Sequence, residues 1–196
     1  MSDRAWTVLL IGGPSGVGKT AVSRPIARRF DADLTGVDDI QTALERMTTA
    51  EQYPEIHRWP LHPDEVLALD DEGMLRHTLG CAAVVSEALE PVIADHLDSS
   101  EPVVFDGDFV LPELVAKASF DGVAADGRVR GVFLHEDEDQ LGRNFLARDG
   151  QEQTRRARSS WWYGEHLRAG CARLGVPSIP ARPWDTTVDR AIDAIA

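Results

Sequence analysis

The chain has 196 residues, 43% of them hydrophobic and 27% charged, enough for one domain with its own core. Its formal net charge of -13 argues against sequence-independent binding to nucleic acid or to an acidic membrane face, both of which reward clustered Lys and Arg. The two cysteines, Cys81 and Cys171, are far apart and form no CxxC pattern, so neither a disulfide framework nor a thiolate zinc site is expected.

Near the N-terminus, Asp3 and Arg4 stand where a signal peptide would need apolar residues, and no apolar run approaches membrane length, so a cytoplasmic protein is expected. The first strand-like run, residues 7–11, leads into Gly13-Pro14-Ser15-Gly16-Val17-Gly18-Lys19-Thr20 and then into a helix-like stretch at 19–30. Strand, glycine-rich loop and helix in this order make a Walker A phosphate loop. Backbone N–H groups of Gly13, Ser15, Gly16, Val17 and Gly18 would turn inward on the phosphates of ATP, where the helix N-terminus also points. Lys19 would reach the β- and γ-phosphates, and the Thr20 hydroxyl would bind Mg2+.

A second run, 34–37, ends in Asp38-Asp39, at the edge where open α/β sheets bind ligands. Asp38, the first residue after the apolar run, is the expected catalytic base for an acceptor hydroxyl; Asp39 either contacts the acceptor or caps the next helix, 39–47. Between 48 and 63 the periodicity dissolves around Tyr53, Pro54, His57, Trp59, Pro60, His62 and Pro63. This reads as an inserted loop, opening an acceptor-side insertion over about 48–98, with His57 and Trp59 as candidate substrate contacts. A helix at 74–97 leads to the run 103–105 and Asp106-Gly107-Asp108, as a Walker B strand does: Asp106 would hold Mg2+ and Asp108 would face the acceptor.

After the run 129–134 and a helix at 138–148, Arg143, Arg148, Arg155, Arg156 and Arg158 crowd around the hinge Asp149-Gly150. They suggest a lid over about 143–158 that neutralises charge on the transferred phosphoryl group, with Arg143 and Arg148 foremost and Arg155 next. A helix at 159–174, stopped by Gly175 and Pro177, the run 176–179 and a helix at 187–195 complete the chain. The alternation predicts an α/β fold, a three-layer αβα sandwich around a five-stranded parallel sheet, as one domain over 1–196.

With these motifs in this order the sequence resembles a small P-loop kinase of the adenylate-kinase-like group, and is most similar to 2-phosphoglycerate kinase-like proteins and the chloramphenicol phosphotransferase group. It departs from the first at Asp39-Ile40-Gln41, which lacks an arginine, and at Asp106-Gly107-Asp108-Phe109-Val110-Leu111-Pro112, which lacks a histidine. The resemblance implies a P-loop NTPase fold with a helical lid. It also places the loop around Arg182 and Trp184 near the adenine base, where either would stack on the ring; packing of Trp184 in the protein is the alternative. The expected activity is ATP- and Mg2+-dependent phosphoryl transfer to a hydroxyl of a small metabolite or natural product, by a monomer or a homodimer. A nucleotide-dependent switch and a zeta-toxin-like sugar-nucleotide kinase are the alternatives.

Overall fold

The computed structural model describes residues 4–196. β1 (Val8–Gly12) leads through the glycine-rich loop to α1 (Lys19–Phe30), β2 (Asp33–Gly36) and α2 (Val37–Met47). There follow α3 (Pro54–Leu61), α4 (Pro63–Leu67), the long α5 (Asp71–Ser99), β3 (Val103–Asp106) and α6 (Pro112–Val115). A hairpin of β4 (Ser119–Phe120) and β5 (Val123–Ala124) precedes β6 (Val129–His135), α7 (Glu138–Asp149), α8 (Thr154–Leu174) and β7 (Ser178–Pro180). A 3-10 turn at Trp184–Thr186 opens into α9 (Thr187–Ile195).

Five strands form one parallel sheet in the order β2-β3-β1-β6-β7. Successive strand side chains point to opposite faces, and the core divides accordingly. Val8 and Leu10, with Val103, Phe105 and Phe133, pack under α5 and α8 through Leu89, Ile93 and Leu167. Leu9 and Ile11, with Val104, Val132 and Leu134, pack under α1, α7 and α9 through Val22, Ile26, Phe145 and Ile195. The predicted three-layer sandwich is therefore the observed one.

Register brings the chemistry to one edge. Ile11 and Gly36 both lie opposite Asp106, so β1, β2 and β3 end level, and the loops leaving them converge. Gly107 is needed there, because a Cβ would come within 2.5 Å of Val37 Cβ.

One expected element fails. The stretch 48–63 is not a loop: it holds α3 and runs into the start of α4, and Pro54 and Pro63 each sit in a first helical turn, where the missing N–H has no partner to lose. Ile56 and Val66 are fully buried and anchor the two helices. The β4–β5 hairpin lies outside the expected elements; its Asp121-Gly122 turn, with φ of 45° and 88°, is a favoured two-residue hairpin turn.

α5 is capped by Asp70, whose carboxylate accepts a 2.7 Å bond from the Gly73 N–H. Asp70→Ala should lower the unfolding free energy by about 1 kcal/mol in urea titration, the usual worth of such a cap.

Candidate active site

The phosphate loop is shaped by glycines in the left-handed region and by what presses on them. Gly16 (φ 80°) leaves no room for a Cβ against Phe145, 2.8 Å away, and Gly18 (φ 96°) none against the Trp184 ring, 2.2 Å away. Asn144 of α7 donates from Nδ2 to the Gly16 carbonyl at 2.9 Å. α1 starts directly behind the loop, so its unpaired N–H groups and dipole face the space the loop encloses.

Lys19, only 8% exposed, donates from Nζ to the Pro14 carbonyl at 3.0 Å and forms an ion pair with Asp108. Asp106, at the end of β3, accepts a 2.8 Å hydrogen bond from Ser23 Oγ on α1. Asp38 and Asp39 lie in the first turn of α2. The walls of the cleft strip water from the Asp38 carboxyl and, with the neighbouring Asp108 carboxylate, hold it above the ordinary range, against the pull of Lys19. Thr20 and Asp106 border the same cleft, a hydroxyl and a buried carboxylate beside a phosphate cradle. Such a donor set fits Mg2+, which takes one or two carboxylates and completes its shell with phosphate oxygens and water.

Two cavities meet here. The nucleotide-side cleft, about 630 Å³, is bordered by Lys19, Thr20, Asp38, Asp39, Asp106 and Arg148, among others. The second, about 780 Å³, lies between α2, α3, α5 and α8, with Gln41, Ile56, Trp59, Met74, Phe109 and Tyr163 in its wall. Ser15, Asp108 and Arg156 border both. Arg148 and Arg156 stack on the Phe145 ring, 5.0 and 4.6 Å from its centroid. Both also pair with Asp149, and the Arg148 guanidinium is the main reason that carboxyl is held below its usual range.

Ser15, Gly16, Gly18, Lys19, Thr20, Asp38, Asp39, Asp106, Asp108 and Arg148 border one cleft. Trp59 and Arg155 reach the second cavity, Arg155 donating to the Leu69 carbonyl. Arg143 does not reach either: it points along α7 to Gln140 Oε1, at 2.8 and 3.1 Å, because its helical phase faces away from the loop. His57 is also displaced from the expected substrate role. It is 8% exposed, bonded through Nε2 to Thr48 Oγ1 at 3.0 Å, and borders neither cavity. Arg182 pairs with Glu136 and bonds Asn144, while Trp184 lies on Gly18. Arg156, Asn144 and Ser23 lie outside the expected site residues. Arg156 was visible as one of five arginines, but only the phase of α8 separates it from its neighbours.

No protein-family model matches the sequence. It is 26% identical over 137 residues to a tRNA dimethylallyltransferase of Desulfotalea psychrophila, covering 69% of this chain and 41% of that protein. It is 27% identical over 112 residues to a mevalonate-3-phosphate 5-kinase of Thermoplasma acidophilum, covering 55% and 54%. The matches therefore span about half or less of these curated relatives. Among solved structures, a gluconokinase from Sinorhizobium meliloti superposes with a TM-score of 0.52 at 20% identity, covering 97% of this chain and 91% of that one. A shikimate kinase from Acinetobacter baumannii gives 0.56 at 14% identity, covering 96% and 90%. The chain has the fold of the small P-loop kinases.

Asp38 should make the cleft a measurable burden on stability at neutral pH. A carboxyl whose folded-state pKa is raised binds its proton more tightly in the folded chain, so folding gains as pH falls through that pKa. Asp38→Asn, which mimics the protonated form, should raise Tm at pH 7, and the gap from wild type should close on acidification toward the ordinary carboxylate range. Thermal melts of both proteins across that window check it.

Proposed function

We propose that the protein is an ATP- and Mg2+-dependent kinase that transfers the γ-phosphoryl group to a hydroxyl of a small molecule. The observation that carries this reading is the meeting of a phosphate-loop cleft and a second, mostly apolar cavity at Ser15, Asp108 and Arg156. A nucleotide-dependent switch has no need of a second cavity opening on its phosphate site. Three similar proteins, a mevalonate-3-phosphate 5-kinase, a gluconokinase and a shikimate kinase, support the same reaction class. The net charge of -13 favours a small acceptor over tRNA, the substrate named for the remaining relative.

In this reading the chain is one catalytic domain, with residues 143–158 as lid and 48–98 as the acceptor side. Lys19 and the loop amides hold the β- and γ-phosphates. Thr20 and Asp106 hold Mg2+, which when bound neutralises charge on the phosphate oxygens. Asp38 takes the proton of the acceptor hydroxyl as its oxygen bonds to the γ-phosphorus and the bond to the ADP oxygen breaks. Its raised proton affinity suits a general base better than an ordinary carboxylate's would. Gln41, one turn further along α2, borders the second cavity and so carries the same helix face to the acceptor. Arg148 and Arg156 face the cleft across Phe145 and offset negative charge as the phosphoryl group moves. Trp184, packed on Gly18, and Arg182, tied to Glu136 and Asn144, are assigned the adenine end as the resemblance implies.

A metabolite library incubated with ATP and Mg2+ and read for the mass gain of one phosphoryl group should identify an acceptor. Lys19→Ala should abolish that transfer while circular dichroism stays native; transfer at the wild-type rate would mean the phosphate site is elsewhere. Removing a donor that stabilises transition-state charge typically costs about 10²–10³ in kcat, and Arg156→Ala should fall in that range. Arg143→Ala, with its guanidinium on Gln140, should stay within about twofold of wild type on the same scale.

A further inference from the structure

Lys19 and Asp108 are joined in a way that links the two cavities. A buried ammonium needs an anion, and stripping its partner away is strongly unfavourable. Lys19 has two acceptors, the Pro14 carbonyl and the Asp108 carboxylate; Asp106, the other acid at the strand end, is bonded by Ser23. The backbone under Asp108 is held on both sides. Buried Tyr163 donates from its hydroxyl to the Asp108 carbonyl at 2.7 Å, and the Gly107 N–H donates to the Ile11 carbonyl at 3.3 Å. The side chain, 30% exposed, is the part left free to turn, and it borders both cavities.

We propose that Asp108 exchanges partners with nucleotide occupancy: it neutralises Lys19 while the phosphate loop is empty, and it binds the acceptor's hydroxyl, as a hydrogen-bond acceptor, once ATP phosphates have taken Lys19. This rests on the kinase reading above. While Oδ1 is committed to Lys19, the side chain is turned to the phosphate side, so the second cavity acquires its full polar anchor only after nucleotide binds and releases it. ATP and the alcohol then bind cooperatively, nucleotide first, and by linkage each strengthens the other by the same factor. Asp108 anchors the acceptor in this scheme, and proton transfer stays with Asp38.

The exchange makes a prediction that needs no known acceptor. Because wild-type nucleotide must displace Asp108 from Lys19, Asp108→Asn should bind Mg2+–AMP-PNP about fivefold or more tightly in calorimetry, the lower end of ordinary coupling energies. Asp108→Ser should shift the affinity in the same direction, and melting curves establish that both variants fold. Asp38→Asn removes an equal charge from the same cleft but not from Lys19, and should gain distinctly less. For any alcohol the library identifies, Asp108→Asn should raise the KM of the alcohol while lowering that of ATP, opposite signs that a merely loosened site would not give. Unchanged or weaker AMP-PNP affinity in Asp108→Asn, an equal gain in Asp38→Asn, or an unmoved KM for the alcohol would each overturn the exchange and leave the kinase reading standing. Failure of the wild type to bind AMP-PNP at all would bring down both.

Discussion

A buried ammonium group must have an anion within reach, and the layout of the site follows from that requirement. Lys19 enters α1 directly behind the phosphate loop, where helix packing on the sheet leaves it 8% exposed. The parallel register then delivers acids to it from two neighbouring strands, because β2 and β3 end level with β1. Asp38, Asp39, Asp106 and Asp108 surround one lysine, an excess of negative charge that adds to burial in raising the proton affinity of Asp38. Such a cleft is electrostatically incomplete by itself. A phosphate chain accompanied by a divalent cation supplies both the anion Lys19 needs and the positive charge the carboxylates need.

α8 extends this constraint away from the sheet. Its Tyr163 holds the Asp108 carbonyl, and at Gly164 its backbone comes so near Pro14 that a Cβ would be 3.0 Å from the proline ring. Nearer its start, Arg156 lies over Phe145, and Phe145 lies against Gly16. One helix therefore touches the phosphate loop, the acid that neutralises Lys19 and the arginines above the cleft. Movement at 143–158 would be felt at the loop through packed contacts, without a separate relay.

Much of this was legible in the chain. The Gly13–Thr20 spacing, the apolar runs and the acids following 34–37 and 103–105 are local features, and the strand edge converts them directly into a shared site. The misreadings also have local causes. Pro54 and Pro63 look like breakers until their place at helix starts is known, so the sequence suggests a loop where α3 lies and α4 begins. His57 sat among plausible substrate contacts but turned inward to Thr48.

The arginines mark the boundary most sharply. Their crowding near Gly150 announces charge neutralisation, yet neighbouring helical residues point about 100° apart, and that angle decides which ones matter. Arg156 faces both cavities, Arg155 is tied to the Leu69 carbonyl between α4 and α5, and Arg143 lies along its own helix. Spacing along the chain was enough to establish the phosphate loop, the parallel α/β order and the acids at the strand ends, because each depends on residues within a few positions of one another. Packing alone settles that Asp108 pairs with Lys19 and stands between two cavities, since that contact joins groups 89 residues apart and exists only once β1 and β3 lie side by side.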